Sequence, residues 1–495
     1  MDFLDPRKRK SQRLRLAVGY SLMAVAIGLI SIILIYGAYG YGINTKTGQI
    51  IQNGLLFVDS HPHGAQIYLN DQYQGSNTAA RLILPAGKYS LTVKKSGYRD
   101  WRGSFNLDAH AIARFTYPML FPTKPRITAL HSYTSEPKTI LQSPDERWLL
   151  VQAPTADKFS FDEYDTTHLA QAPLSLDVPA SLLTGGASGR LSLVEWSTDN
   201  KNVLLKHTFV GGSEFVVFNR AAPSDSFNVN KLFGISPANV ALKNKKISQL
   251  YLYDHDKATL SLGDVGSGTV AAPLLSDVLA FKTYGNNLIL YVTNKAAPAG
   301  QAFARIWSSG QTYPLYTFPS GSTYLIDLAQ YANHWYYIAG SNATARINIY
   351  KDPLSDVNNT SIGRAIPLLS LNLNKASHVS FSNTSQYIEG DNAKNFSVYD
   401  ILNQKSYDYK LNLDTTAGLR WMDGSRLIGE ANNRVYVMDY DATNPQFVVD
   451  SAEADGGFFS PDFNHLFTIQ SNTSGFTLEN IDMRAGRDLP KNPAA

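Results

Sequence analysis

ILQSPDERWLLV (residues 140–151) and GFFSPDFNHLFTI (residues 457–469) carry the pattern that decides the fold of most of this 495-residue chain. In each copy an apolar segment leads into a Ser-Pro-Asp turn, and a second apolar segment follows. Short apolar segments joined by a turn rich in Ser, Asp, Asn or Gly predict a β-hairpin. The two copies begin 317 residues apart, and the same pattern recurs between them.

Six further copies of this hairpin pattern lie between the first two. Aligned on the residue that begins each turn, successive copies are 54, 56, 30, 47, 52, 40 and 38 residues apart, with a mean of about 45. Repeats of about 40–50 residues made of strands and turns are typical of β-propeller blades. The six copies are LVEWSTDNKNVLLK (193–206), QLYLYDHDKATLSL (249–262), LAFKTYGNNLILYV (279–292), IDLAQYANHWYYIA (326–339), HVSFSNTSQYIEG (378–390) and GLRWMDGSRLIGE (418–430). The eight turn residues are Ser143, Ser197, Tyr253, Thr283, Gln330, Ser382, Met422 and Ser460.

Further strand-like segments, such as FSVYDI (396–401), follow the hairpins and indicate blades of more than two strands. Eight copies favour eight blades, whereas the 30-residue interval leaves seven open. A closed ring leaves no end blade bare, so the first blade, near 127–151, is expected to close against the last, near 457–483. We therefore predict a mainly β fold with a seven- or eight-bladed β-propeller at 126–485. The Ser-Pro-Asp turns resemble the propeller repeats of the TolB type and other WD-like arrays.

A very different segment opens the chain. No charged residue occurs between Leu16 and Thr45, and about 20 apolar residues in a helix suffice to cross the hydrocarbon core of a bilayer. We predict a transmembrane helix at 16–43, preceded by a basic cytoplasmic tail at 1–15. Basic residues next to a membrane span stay on its cytoplasmic side, and six are available to set the orientation: Arg7, Lys8, Arg9, Lys10, Arg13 and Arg15.

This arrangement predicts a single-pass protein of the plasma membrane whose first partner is the lipid bilayer. Its N-terminus is expected in the cytoplasm and nearly all of its mass outside. The alternative is a cleaved secretory signal peptide, which also begins with basic residues but has an apolar region of only about 7–15 residues.

A short β-rich module follows a predicted linker at 44–53. Residues 65–70 and 89–94 alternate between apolar and polar side chains, and turn residues separate these segments. Several short strands within about 70 residues predict a small antiparallel β-sandwich at 54–121.

Short motifs punctuate the predicted sandwich. They are Pro62-His63-Gly64-Ala65, Asn70-Asp71, Gly75, Leu84-Pro85-Ala86-Gly87-Lys88-Tyr89 and Gly97-Tyr98. Together they resemble the PEGA domain, although His63 stands where the family usually has Glu, and Gly75-Ser76-Asn77-Thr78 lacks the usual proline. The resemblance implies an extracytoplasmic β-sandwich module of a surface protein rather than a catalyst.

Two features of the predicted sandwich leave two interpretations open. His61 and His63 suggest either metal ligands or a turn around Pro62, and we favour the turn because no third ligand is evident nearby. Tyr98 and Trp101 form either an exposed aromatic platform or part of the core.

Charge and composition exclude some classes of partner and of functional site. The net charge is +3, but residues 1–15 alone contribute +4, so the remaining 480 residues carry −1. A body without basic excess argues against nucleic acid as a partner. The chain has no Cys, which excludes disulfides, thiolate metal sites and cysteine nucleophiles.

No catalytic signature stands out in the sequence. Neither G-x-S-x-G nor H-E-x-x-H occurs, and the ten histidines are dispersed. We predict no enzymatic activity, no catalytic residue, no cofactor and no metal. The favoured function is a binding or scaffold protein of the cell envelope whose propeller binds a protein or an envelope polymer. The alternative is an anchored hydrolase or lyase acting on cell-envelope glycans, which requires carboxylates that converge at the propeller axis.

Three long stretches, 153–192, 221–246 and 351–376, are predicted binding loops. Within the first, the neighbouring acids Asp162, Glu163 and Asp165 predict an exposed loop. The last residues, 486–495, are polar and predict a flexible tail.

Overall fold

The structure is a computed structural model that describes residues 6–38, 41–43, 50–285, 287–355, 365–413, 415 and 417–490. The chain forms two compact units. The first comprises Met1–Lys124 together with Ala485–Asp488, and the second comprises Pro125–Arg484 together with Leu489–Ala495. The chain therefore leaves the first unit after Lys124 and returns to it after Arg484.

A long apolar helix, α1, runs from Pro6 to Ala38. Its segment Arg13–Gly37 has a mean hydropathy of 2.5, and none of that segment is buried in the protein. An exposed helix that is apolar all round is typical of a membrane anchor or of a signal sequence. The six basic residues that the sequence singles out lie in the N-terminal part of α1.

The sequence predicted that the helix ends at residue 43, but α1 ends earlier, at Ala38. Strand β1 (Tyr41–Ile43) follows it and pairs antiparallel with the first residues of strand β2 (Ile50–Val58). Glycines at 37, 40 and 42 explain the early end, because only proline favours a helix less than glycine. The predicted linker at 44–53 is shorter as well, since its last four residues belong to β2, and residues 44–49 lie outside the described residues.

Two four-stranded sheets form the rest of the first unit and confirm a small β-sandwich. Its further strands are β3 (Gln66–Leu69), β4 (Gln72–Asn77), β5 (Ala80–Pro85), β6 (Gly87–Lys94), β7 (Trp101–Leu107) and β8 (Ile112–Phe115). In one sheet β2 pairs with β1, with β5 and, in parallel, with β8, while the other has the order β4-β3-β6-β7. Side chains from both sheets, including Leu56, Ile67 and Val93, share one core.

Burial and side-chain contacts show the roles of the aromatic and histidine residues that the sequence left undecided. Tyr98 and Trp101 are 6% and 2% exposed, so they are core residues and form no exposed platform. His63 Nδ1 lies 2.8 Å from Asp59 Oδ1. Within the described part of the chain, His61 and His63 belong to no group of three potential metal ligands.

The C-terminal segment that was expected to be flexible is partly built into the first unit. Gly486–Asp488 forms a 3-10 helix, and Ala485 is buried in the sandwich core. The Asp488 carboxylate accepts hydrogen bonds from Lys95 Nζ and Tyr98 Oη, both at 2.8 Å, and the Ala485 N–H donates to Tyr98 Oη at 2.7 Å. The prediction of a flexible tail is wrong for these residues because Tyr98, in the Gly-Tyr motif, holds them. Residues 491–495 lie outside the described residues.

Within the described residues, the second unit contains eight four-stranded antiparallel sheets. Seven are built from consecutive strands, β10–β13, β14–β17, β18–β21, β22–β25, β26–β29, β30–β33 and β34–β37, and the eighth combines β38, β39, β40 and β9. The strands of the first four sheets and the closing strand are β9 (Arg126–Tyr133), β10 (Ile140–Gln142), β11 (Trp148–Ala153), β12 (Ser160–Asp165), β13 (Leu174–Asp177), β14 (Arg190–Trp196), β15 (Asn202–Phe209), β16 (Gly212–Asn219), β17 (Phe227–Asn228), β18 (Asn239–Lys243), β19 (Lys246–Asp254), β20 (Thr259–Asp264), β21 (Thr269–Val270), β22 (Val278–Tyr284), β23 (Leu288–Thr293), β24 (Gln301–Ser308) and β25 (Gln311–Pro319). The remaining strands are β26 (Tyr324–Tyr331), β27 (His334–Ser341), β28 (Arg346–Lys351), β29 (Leu369–Asn372), β30 (His378–Phe381), β31 (Tyr387–Asp391), β32 (Asn395–Asp400), β33 (Lys405–Lys410), β34 (Arg420–Trp421), β35 (Arg426–Ala431), β36 (Arg434–Asp439), β37 (Gln446–Asp450), β38 (Phe458–Phe459), β39 (His465–Asn472) and β40 (Gly475–Asp482). A short helix, α2 (Val229–Phe233), lies between β17 and β18.

The eighth sheet closes the propeller with strands from both ends of the unit. Strand β9 pairs antiparallel with β40, from Arg126 opposite Asp482 to Tyr133 opposite Phe476. The Arg126 guanidinium also lies 3.1 Å from the Asp482 carboxylate. The pairing joins the first strand of the propeller to its last, as the predicted closure requires.

The short 30-residue interval has a structural cause. Seven of the eight sequence copies are the first hairpin of a sheet, but the copy at 249–262 is the second hairpin of its sheet, β19–β20. The first hairpin of that sheet is β18–β19, and it turns at Asn244 and Lys245, both with φ of 53°. Measured from Asn244, the interval to Thr283 is 39 residues, which removes the argument for seven blades.

The predicted binding loops contain regular strands as well as loops. Residues 153–192 contain β12 and β13, and residues 221–246 contain β17, α2 and β18. Of 351–376, residues 356–364 lie outside the described residues. The three acids expected in an exposed loop lie on β12, where Glu163 is buried and pairs with Arg220 at 2.8 Å. The expectation failed because the buried guanidinium of Arg220, directly after β16, compensates the Glu163 carboxylate on β12.

Ring closure can be locked chemically, because the chain has no Cys of its own. Ser132 and Thr477 face each other in the β9–β40 register, at the Cα separation that a disulfide spans. We expect the double variant Ser132→Cys with Thr477→Cys to form a disulfide and to gain about 2–4 kcal/mol of stability. The measurement is thermal and denaturant unfolding of the full chain, oxidised and reduced. Each single-Cys variant should unfold as the wild type does, and failure of the pair to cross-link in the folded protein would contradict the closure.

Candidate functional site at the propeller axis

The first strand of each sheet contacts the first strand of the next, so these strands form the inner ring of the propeller. Strands β14, β18, β22, β26 and β30 pack against one another in that order. Side-chain hydrogen bonds make the other four connections: Trp421 Nε1 to Ser380 Oγ at 3.0 Å, Arg420 Nη2 to Gly457 O at 2.6 Å, Gln142 Nε2 to Phe459 O at 2.6 Å, and Thr139 Oγ1 to Leu191 O at 3.3 Å. In a β-propeller this ring surrounds the central channel.

Within the described residues, charged side chains lie on six of the eight inner strands, and five of them, each from a different strand, form one set. We call this set the axial cluster: Glu195 on β14, Lys282 on β22, Asp327 on β26, His378 on β30 and Arg420 on β34. Nothing in the hairpin pattern requires charge at these positions, since strand residues facing a propeller axis can equally be apolar. The cluster brings together ionisable groups from distant parts of the sequence.

One side of the axial cluster centres on Asp327. Burial raises the pKa of Asp327, although Lys282 and His378 oppose that shift. Burial also raises the pKa of Glu195, whose carboxylate accepts the Leu242 N–H at 2.8 Å and lies 3.8 Å from Lys245 Nζ. Two carboxylates are therefore held among cations, where the low dielectric disfavours their charge and the cations support it.

The other side centres on Arg420. Its guanidinium lies 4.9 Å from the centre of the Phe458 ring, and its buried Nε has no hydrogen-bond partner. Burial raises the pKa of Glu146 to about 7, with a further contribution from Asp423. Burial likewise raises the pKa of Glu453 to about 7. Groups that titrate near neutral pH concentrate at functional sites more often than elsewhere.

A compact trio lies at the His378 end of the cluster. The register of the β30–β31 hairpin places His378 opposite Asp391 and Ser380 opposite Glu389, so all four side chains share one face of the sheet. His378 Nδ1 lies 3.3 Å from Asp391 Oδ2 and 3.6 Å from Glu389 Oε2. The His378 side chain is 55% exposed, whereas those of Glu389 and Asp391 are 3% and 13% exposed.

Contacts within the trio, together with burial, raise the pKa values of His378 and Glu389 and lower that of Asp391. The Asp391 and Glu389 carboxylates raise the pKa of His378 to about 10. Burial raises the pKa of Glu389 to about 7 against the opposing effect of His378. Burial would raise the pKa of Asp391 as well, but His378 and the Ala393 N–H keep it below its usual range.

The sequence could not single out these residues. The six basic residues named from the sequence lie in α1, and the axial residues were not among them. Convergence of two carboxylates, which the glycan-hydrolase alternative requires, occurs at Glu389 and Asp391, whose ligand-type oxygens lie within 4.8 Å. They are neighbours on one strand rather than groups on opposite walls of a cleft. The hairpin sequence HVSFSNTSQYIEGD, once its register is known, is the only signal that could have paired His378 with Asp391.

Glu453 should make the stability of the protein depend on pH. Its folded-state pKa of about 7 lies above the ordinary value of 4.5, so the unfolded chain loses this proton at lower pH than the folded one. Stability is then lost as the pH rises from about 4.5 through about 7. We expect Glu453→Gln to remove part of this loss, so that the variant gains stability relative to the wild type at pH 8 compared with pH 5.

The measurement is urea unfolding at both pH values, and the matched control is Asp256→Asn at an exposed turn position. An equal effect of Glu453→Gln at pH 5 and pH 8 would show that this carboxyl titrates normally in the folded protein.

Comparison with known families identifies one part of the chain. Residues 53–119 match the family described as the PEGA domain, which confirms the resemblance seen in the sequence motifs. No curated protein matches the sequence.

Solved structures of β-propellers are similar to the chain in fold. They include the Dos1 propeller, at 14% identity over 73% of this chain and 95% of that one with a TM-score of 0.44. Hsv2 of Kluyveromyces lactis has 10% identity over 69% and 97%, with a TM-score of 0.38. An uncharacterized protein of Listeria monocytogenes EGD-e, lmo1340, has 13% identity over 66% and 91%, with a TM-score of 0.40. The chain thus contains a PEGA domain and a β-propeller, and its likeness to the solved structures concerns the fold alone.

Proposed function

We propose that this protein is a membrane-anchored, extracytoplasmic binding and scaffold protein of the cell envelope. A PEGA domain and a β-propeller support a binding or scaffold role in general terms. The finer proposal is that α1 holds the protein in the plasma membrane, the PEGA domain stands next to the membrane, and the propeller binds a protein or an envelope polymer.

The membrane proposal rests on the exposure of the apolar helix α1. Its apolar segment Arg13–Gly37 buries none of its surface in the protein, and apolar area left in water costs about 25 cal/mol for each Å². Large apolar side chains along it, such as Leu22 and Ile33, are 66% and 68% exposed. A bilayer covers such a surface, and the basic residues before the segment favour a cytoplasmic N-terminus.

The axial cluster supports the binding proposal. Charges from five inner strands surround one axis, and the sheets that hold them are braced on both sides by their neighbours. A rigid frame with fixed charges binds a polar ligand without the entropic cost of ordering loops. Lys282 and His378 suit anionic groups, and Glu195 and Asp327 suit cationic ones, so the axis fits a charged polymer or a charged protein segment.

Membrane topology can be read with single cysteines, because the native chain has none. We expect Val210→Cys, at a fully exposed propeller position, to react with a membrane-impermeant maleimide on intact cells. Ser11→Cys, before the apolar segment, should react only after the membrane is permeabilised. The protein should also stay in the membrane fraction at full length. The reverse labelling pattern, or release of a shortened protein from the membrane, would refute the anchored topology.

A second candidate function, an anchored glycan hydrolase or lyase, is favoured by two buried carboxyls, Glu146 and Glu453, that both interact with Arg420. Burial raises their pKa values, and a protonated carboxyl near neutral pH suits a general acid. The two functions differ in one assay. The purified protein is incubated with washed cell walls, and both cosedimentation and release of soluble sugar are measured. The scaffold proposal expects sedimentation without release, whereas release that Glu453→Gln abolishes and Asp256→Asn leaves intact would establish the enzyme.

A further inference from the structure

The trio His378, Glu389 and Asp391 has the features of a metal site, although the sequence predicted none. We propose that these three residues bind one zinc-class divalent cation at the inner edge of the sixth sheet. The inference rests on the geometry of the trio and does not depend on the proposed function.

The distances within the trio fit metal coordination as well as direct ion pairing. The separations of 3.3 and 3.6 Å from His378 Nδ1 to the two carboxylates exceed the 2.7–3.2 Å of ordinary N–H···O hydrogen bonds. In a tetrahedral site with metal–ligand distances of about 2.0–2.2 Å, neighbouring ligand atoms lie about 3.3–3.6 Å apart. All three ligand atoms lie within 4.8 Å of one another, so one ion can reach them after small side-chain adjustments.

A buried oxygen without a partner points to the same ion. Glu389 is 3% exposed at its side chain, and its Oε1 has no hydrogen-bond partner in the structure. Asp391, the other carboxylate, stands beside it on the same face of β31. A buried carboxylate oxygen without a partner is costly, and a cation bound by the trio would compensate it.

The surroundings hold the candidate ligands in place. Ser380 Oγ donates to Glu389 Oε2 at 3.0 Å and accepts a hydrogen bond from Trp421 Nε1 at 3.0 Å. The Ala393 N–H donates to Asp391 Oδ1 at 2.7 Å, which leaves Oδ2 directed at His378. Such outer contacts orient metal ligands and are a regular part of metal sites.

The donor set indicates which ion the site prefers. One imidazole nitrogen and two carboxylate oxygens suit Zn²⁺ and similar transition metals, whereas Ca²⁺ prefers oxygen ligands alone. The exposed side of His378 leaves room for a fourth ligand from solvent, as in zinc sites that exchange a ligand. A metal here would add an open coordination position to the propeller axis, which an anionic group of a ligand can occupy.

Metal binding is tested on the full chain, purified in detergent without a polyhistidine tag and stripped with EDTA. We expect one Zn²⁺ per chain by competition with a chromophoric chelator, and excess Ca²⁺ should not displace it. His378→Gln and Asp391→Asn should each weaken binding at least tenfold. The matched control is His334→Gln, because His334 is also a half-exposed histidine beside an aspartate, at 2.5 Å from Asp352, but belongs to no group of three ligands in the described residues.

Two outcomes separate a metal site from a structural ion pair. Co²⁺ bound in place of Zn²⁺ should show the strong visible absorption of tetrahedral coordination in the wild type and in His334→Gln, and lose it in His378→Gln. His378 is the cation beside two buried carboxylates, so its replacement should lower the unfolding temperature of the metal-free protein, and circular dichroism must first show that His378→Gln is folded at the assay temperature. Absence of Zn²⁺ binding by the folded wild type at micromolar metal, or equal binding by His378→Gln, would overturn the proposal.

Discussion

The pairing of β9 with β40 is the constraint on which the rest of the propeller depends. A propeller sheet buries its faces only against its neighbours, so an open array of eight sheets would leave two end faces in water. The structure avoids this by taking the outer strand of the last sheet from the start of the unit, with Arg126 opposite Asp482. Only in a closed ring do the inner strands surround one axis, and only then do Glu195 and Arg420, 225 residues apart, belong to one site.

At the axial cluster, buried charged groups lower the stability of the fold but are suited to binding a ligand. Elsewhere, the buried Glu163 has a direct partner in Arg220 at 2.8 Å. Burial raises the pKa of Asp327 in the axial cluster and of Glu146 and Glu453 near Arg420, so these carboxyls resist ionisation. Apolar residues would pack there at less cost. Departures of this kind from the packing rule are expected where a ligand or an ion supplies the missing compensation.

Much of the fold follows from the sequence, and the reasons are physical. The hairpin period predicts a propeller because each repeat is a unit that cannot bury its faces alone, and the PEGA motifs predict a sandwich because their glycines and turns fix the strand ends. Finer boundaries were wrong where local propensity decides, as at the glycines that end α1 at Ala38. The fate of the C-terminal segment was missed because it depends on Tyr98, nearly 390 residues away in sequence. The axial cluster could not be predicted at all. A repeat pattern tells that strands form a ring, but the rotation of each strand about its own axis decides which side chains point inward.

The central claim is that the two ends of the propeller sequence form one sheet, and hydrogen exchange of the full chain tests it most directly. If β9 is an integral strand of the eighth sheet, amides in 126–133 that are hydrogen-bonded to β40 will exchange as slowly as those of 475–482, and both segments will become labelled in the same cooperative step. Rapid exchange throughout 126–133 while 475–482 stays protected would show that the ring is open, and the axial site would have no basis.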